Sequence, residues 1–172
     1  MKRIFIMVTS FFCLVFSTAF ATEYQSYHSE SSGFNIDVPA EFQYLQTESG
    51  MTQLTAGDKK TGVLMTVRVN QIRNGTTMAE QEEQLQAALP TLEQRLKSQG
   101  AAMESSGVTT VASHKAIYFF YTINRAGTDY YQEQYIVLGN NTMYSLVFTV
   151  PVVAENQYKP LFTHTILSMT IQ

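Results

Sequence analysis

The side chains able to do chemistry are few. Three histidines occur, His28, His114 and His164. A metal site needs several ligands converging, and no His-x-His or His-x3-His spacing is present, so all three read as ordinary surface residues and no metal is expected. Asp129 and Glu133 fall at the polar start of an otherwise apolar run, on the side of Tyr131 and Tyr135 and close to Arg125. Paired acids do general acid–base work when their surroundings separate their pKa values. Together with His114 they are the best material for a small extracytoplasmic hydrolase or lyase, while a solvated strand end is the simpler reading. No Gly-x-Ser-x-Gly elbow, phosphate loop or Gly-x-Gly-x-x-Gly occurs. Glu80, Glu82 and Glu83 read as a favourable charge cluster at a helix N-terminus.

Tyrosine is the other signal. The chain holds ten, and Tyr118, Tyr121, Tyr130, Tyr131, Tyr135 and Tyr144 fall in three neighbouring strand-like runs. A tyrosine buries a large ring and keeps a polar tip, which serves half-buried cores and also binding faces. The candidate binding set is Tyr118, Tyr121, Tyr130, Tyr131 and Tyr135 with Arg125.

The elements that would position these residues are legible from period and punctuation. Lys115–Ile123, Tyr130–Leu138 and Met143–Val150 are rich in aromatic and β-branched residues and are separated at Asn124-Arg125-Ala126-Gly127 and Gly139-Asn140-Asn141. They predict a three-stranded antiparallel meander. Lys115–Ile123 is apolar on both faces and demands cover on both. Phe34–Val38 alternates and ends at Pro39, and Phe42–Leu45 could pair back across Pro39-Ala40-Glu41. Met51–Ala56 is a weak strand. Val63–Ile72 is one-sided, with Val63, Met65, Val67 and Val69 on its apolar face. Thr77 and Glu80 form a capping box opening a helix over Met78–Gln99, striped by Leu85, Leu89, Leu92 and Leu96 and stopped by Gly100. Pro90 should kink or break it. Met103–Ala112 supplies another strand. Tyr158, Leu161, Phe162, Thr165, Ile166 and Met169 form a second amphipathic face, with Pro160 tolerable only in a first turn. One helix is expected on each face of the sheet, with the leucine stripe as packing surface.

Residues 1–21 read as a signal peptide. Lys2 and Arg3 precede an apolar run shorter than the ~20 residues a spanning helix needs, and Ala19-Phe20-Ala21 fits signal peptidase, so cleavage is expected after Ala21. Cys13 is the single cysteine and lies within this leader. Phe12 before it argues against lipid attachment. Residues 22–32 would form a flexible lead-in with room for a short edge strand, and residues 33–172 one α+β domain. Without Lys2 and Arg3, nine basic residues face fourteen acidic ones. That balance has the wrong sign for nucleic acid. The protein is expected to be periplasmic or secreted, without a transmembrane anchor.

The layout resembles the Mog/PsbP-like group. The resemblance rests on the opening Gly33-Phe34-Asn35-Ile36-Asp37-Val38-Pro39 with Phe42 after it. A mid-chain helix, the long aromatic meander with Tyr135-Ile136-Val137-Leu138, and a terminal helix complete it. Phe42 stands where such openings often carry tryptophan. The resemblance spans roughly residues 28–172 and implies an antiparallel sheet sandwiched between helices (αβα). It also implies a non-catalytic binding or assembly domain, with no functional residues to carry over. The expected function is an exported, non-enzymatic protein without a cofactor, binding an unknown protein or small ligand of the cell envelope through its tyrosine-rich sheet end. A hydrolase or lyase, or a carrier with an apolar cavity under the leucine stripe, are the alternatives.

Overall fold

A computed structural model of the chain describes residues 22–72, 75–139 and 141–172. The leader with its expected cleavage site and Cys13 lies outside the described residues. The described chain is α+β: two antiparallel sheets and two long helices. The first sheet is small and carries β1 (Tyr24–Ser29), β2 (Phe34–Pro39) and β10 (Thr170–Ile171), in the order β1-β2-β10. The second has seven strands: β3 (Gln43–Ser49), β4 (Thr52–Asp58), β5 (Val63–Gln71), β6 (Ala102–Val111), β7 (His114–Arg125), β8 (Thr128–Gly139) and β9 (Thr142–Pro151). Their spatial order is β3-β4-β5-β9-β8-β7-β6. The meander is β7-β8-β9, and β5 joins it along β9 from Leu64↔Thr149 to Gln71↔Thr142.

Helix α1 (Met78–Ser98) begins with the reciprocal cap that Thr77 and Glu80 encode. The Glu80 carboxylate accepts from the Thr77 amide at 2.7 Å, and the Glu80 amide donates to the Thr77 hydroxyl at 3.3 Å. Gly100, at φ +91°, ends it, with the Gly100 amide donating to Lys97 O and the Ala101 amide to Leu96 O. Those two bonds close a Schellman motif, which satisfies carbonyls the last turn leaves open. The helix runs through Pro90 unbroken. Pro90 is exposed, so the carbonyl it leaves without a donor faces water. Helix α2 (Glu155–Ser168) likewise continues past Pro160, which lies beyond its first turn. There too the proline is exposed and the orphaned carbonyl belongs to the exposed Asn156.

Alternation divides the large sheet into two faces. One carries Met65, Val67, Leu146, Phe148 and Val150, all fully buried against α2 residues Phe162 and Ile166 and against Phe34, Ile36 and Val38 of the small sheet. Cover on this face is therefore shared between a helix and β2, where a helix alone was expected. The other face carries Ile117, Phe119, Tyr121, Ile136 and Leu138, on which Leu85 of α1 is buried and Leu89, Leu92 and Leu96 are half-buried. Two local expectations are corrected. β3 pairs with β4 rather than back onto β2, because β2 is already flanked by β1 and β10. Residues 24–29, within the segment expected to be loose, pair with β2 along their whole length, and Ser29 is fully buried.

Candidate functional site

The six candidate residues are split by strand alternation. Tyr118, Tyr131 and Tyr135 point to the α2 side. There Tyr118, Phe120, Tyr135, Phe148 and Phe162 form a run of ring contacts with centroids 4.8–6.4 Å apart. Such pairs add to burial when tilted or offset. Phe148 and Phe162 are core, and Tyr118, Phe120 and Tyr135 are half-buried beside them. Tyr121, Tyr130 and Arg125 lie on the opposite face.

The three residues of the hydrolytic alternative do not meet. Asp129 is exposed at the tip of the β7–β8 hairpin, accepting from the Asn124 side chain at 2.7 Å. His114 opens β7 at its other end, and the ten-residue rise to Asn124 amounts to ~33 Å. Glu133 is buried beneath α2, where the hydroxyls of Tyr131 and Tyr135 donate to it at 3.2 and 3.3 Å. Burial holds its carboxyl above the ordinary range, opposed by those two hydroxyls and by Lys159. Both phenols are pushed up, first by burial and then by the Glu133 charge. Lys159 also lies over the Tyr131 ring, 4.2 Å from its centroid. Two hydroxyls thus satisfy this carboxylate, and it is shut off from solvent. Among the described residues no group of three or more His, Cys, Asp or Glu side chains is arranged to hold a metal.

The concave surface of the protein is the part of the large sheet that α1 leaves open. α1 packs mainly on β6 and β7, and its first turns reach Leu138 of β8 and Met143 of β9. The stretch of this face from Leu64 to Arg68 on β5, with the facing parts of β9 and β8, therefore lies beyond the helix. Register lays Leu64, Thr149, Gln132 and Tyr121 across it in one row, and Thr66, Val147, Gln134 and Phe119 in the next. Arg68, Ser145, Ile136 and Ile117 make a third. Away from α1 these rows are threonine, serine, glutamine and arginine, the composition of a sheet face that meets water.

Three adjoining hollows of about 380, 310 and 340 Å³ follow this face. The first lies along α1 and is lined by Leu92, Arg95, Leu96 and Gln99 of the helix against Arg68 and Gln134 of the sheet. The second is floored by Thr66, Ser145, Gln132 and Gln134, with Arg68 at one end and Arg125 at the other. The third, at the far end, joins Arg125 to Gly62, Leu64, Ala126 and Tyr130. Arg125 Nη2 donates to Gln132 Oε1 at 3.3 Å, and Gln132 Nε2 donates to Thr149 Oγ1 at 2.6 Å. That chain, with Gln132 buried, ties the guanidinium to the sheet. Burial pushes the Tyr121 phenol up, and the Arg125 charge works against it. A cavity does lie beside the leucine stripe, but it opens to solvent past Arg68 and Arg95, which suits a wholly apolar cargo poorly.

Arg68, Arg95, Gln132 and Gln134 were not singled out from sequence. The one-sided pattern of β5 places Arg68 on a wet face, but its convergence with Arg95 and Arg125 exists only once β5 sits beside β9.

No family model and no curated protein matches the chain. Solved structures do. The cyanobacterial PsbP (CyanoP) of Synechocystis superposes with a TM-score of 0.62 at 11% identity, over 90% of this chain and 96% of that one. LpqN of Mycobacterium tuberculosis, described as involved in cell envelope biogenesis, gives 0.59 at 12% identity, over 87% and 91%. PA94 of Pseudomonas aeruginosa, of unknown function, gives 0.52 at 12%, over 87% and 97%. At such identities the likeness concerns the backbone, and the fold of this chain is PsbP-like.

Proposed function

We propose that the protein is an exported, non-enzymatic binding or assembly protein of the cell envelope, of the Mog/PsbP-like group, acting once its leader is cleaved after Ala21. Its ligand lies on the open face of the large sheet, reached by Tyr121, Tyr130 and Arg125 of the tyrosine-rich end. One observation carries this reading: the groove over β5, β9 and β8 is concave, polar and uncovered, while the other face of the same strands is largely buried. The single span-length helix, α1, is not apolar enough to cross a membrane, and no other described helix is either. The involvement of LpqN in cell envelope biogenesis and the PsbP-like architecture agree with this reading. The scattered positions of Asp129, Glu133 and His114 speak against the hydrolytic alternative.

The test is site-specific photo-crosslinking in living cells of the source. A photoreactive residue in place of Thr66 should capture a discrete partner or ligand, whereas one in place of the exposed Val153 should not. Adducts from Val153 alone would overturn the assignment of the groove. Intact mass of the protein isolated from the envelope tests export: the expected N-terminus is Thr22, and a retained Met1 or lipidated Cys13 would refute it.

A further inference from the structure

The groove holds an imbalance of charge that its shape alone does not explain. Each arginine among the described residues, Arg68, Arg95 and Arg125, lines it, and all three are exposed. None has a carboxylate partner within ion-pair distance, whereas Lys97, Lys115 and Lys159 are each paired, with Glu93, Glu82 and Glu155. Among the described residues no acidic side chain lines any of the three hollows, although the chain carries 14 acidic residues against 11 basic. Those three lysines are neutralised on the outside, Lys59 and Lys60 stand unpaired in the exposed β4–β5 turn, and the guanidinium groups are left unneutralised in the concavity. Arginine is the residue suited to planar, bidentate recognition of carboxylates, because its fork of donors is rigid and its charge permanent.

From this we infer that the groove binds an extended acidic peptide segment of a partner protein, with one apolar side chain at its leading end. The inference rests on the groove being the binding site and adds the ligand's chemistry. Three features fix that chemistry. The arginines are spread along the strands: from the row of Arg68 and Ile117 to Arg125 is eight residues of β7, or ~26 Å between backbone positions, and Arg125 reaches back to Gln132, so an extended segment of up to about eight residues covers them. The floor between them is uncharged, and the Gln134 side chain, which has no protein partner, can donate to and accept from a peptide backbone. The last hollow is different in kind, walled by Leu64, Ala126 and the ring of Tyr130, and its volume admits one large apolar side chain. An acidic polysaccharide offers the charges but nothing to fill that end.

The experiment uses a fluorescein-labelled synthetic peptide of about eight residues, alternating glutamate and serine, with phenylalanine at one terminus, followed by anisotropy against the purified protein. Binding should weaken about tenfold in Arg68→Gln and in Arg125→Gln. It should weaken further in the triple variant with Arg95→Gln, and fall steeply with added salt. All three side chains are exposed, so an unchanged thermal midpoint accompanies these losses. Replacing the terminal phenylalanine by serine should cost a similar factor in wild type, and this loss should vanish in Tyr130→Ala. A polygalacturonate oligomer of equal charge is the competing probe, and equal affinity for it would overturn the peptide assignment. Binding that ignores all three arginines would overturn the charge argument. The groove itself is judged separately: Thr66 crosslinks that persist in the triple variant would leave the site standing and remove the acidic ligand.

Discussion

The two faces of the large sheet are built from the same strands and have opposite fates. On β5, Val63, Met65, Val67 and Val69 are buried beneath α2 and the small sheet, while Leu64, Thr66, Arg68 and Asn70 alternate with them and remain partly or fully exposed. On β9, Leu146 and Phe148 are fully buried, and Ser145 and Val147, their neighbours in sequence, are half-exposed. The contrast shows how differently the two faces are built. A face closed by apolar contact supplies stability. A face of threonine, glutamine and arginine beside a single helix contributes little to stability and is free to bind.

Phe148→Ala should produce the largest effect, about 3–5 kcal/mol of lost stability in urea denaturation, because its cavity lies among Phe162, Tyr135 and the other rings of the closed face. Val147→Ala, one residue away on the open face, should stay within about 0.5 kcal/mol. Comparable losses at the two sites would erase the distinction. Within α1, the edge between covered and open runs along the leucine stripe. Leu85→Ala should cost about 2–3 kcal/mol and Leu92→Ala nearer 1, since Leu85 is buried and Leu92 already borders the groove. Thermal unfolding of both variants measures that boundary.

Glu133 gives a test by pH. Its folded carboxyl sits above the ordinary value of 4.5, chiefly through burial. The folded state thus holds the proton more tightly than the unfolded one, so the stability this group contributes is present below about 4.5 and is lost as pH rises through the folded value. Glu133→Gln should flatten that arm, recovering up to about 1.4 kcal/mol per pH unit across the window. Parallel stability–pH profiles of the two proteins would contradict the burial cause. The one expected gain concerns the β6–β7 turn, where Ala112 and Ser113 adopt φ of +51° and +65°. Those are the angles of a two-residue hairpin loop that favours Asn-Gly, so Ala112→Asn with Ser113→Gly should raise stability by about 1 kcal/mol.

The meander, the capping box of Thr77 and Glu80, the Gly100 stop and the one-sidedness of β5 could be read from the chain because each depends on neighbours within a few residues. What escaped depends on distant partners. Pro39-Ala40-Glu41 resembles a hairpin turn, yet β3 follows β4, and nothing local to residues 34–49 reveals that β2 is enclosed by both ends of the described chain. Glu133 reads from sequence as part of a solvated strand end, and Gln132 beside it is not singled out. They are buried because the first meets the Tyr131 and Tyr135 hydroxyls and the second meets Thr149 and Arg125. The tyrosines were legible as a group, but adjacent positions such as Tyr130 and Tyr131 face opposite ways, which divides them between core and groove. The arginines sit on β5, α1 and β7, and only tertiary packing brings them to one hollow.

The seam between β5 and β9 has a consequence for how the chain folds. β6 to β9 are joined by successive short turns and can form by local zipping, as can β3 to β5. The seam instead joins Gln71 to Thr142 and Leu64 to Thr149, and closing so long an intervening loop costs entropy before any contact repays it. Until it closes, β5 and β9 each present an unpaired strand edge, with apolar side chains alternating along it, to any other chain nearby. The last pairing to form is thus the one that completes the arginine groove, so a half-assembled molecule would have neither a sealed sheet nor a site.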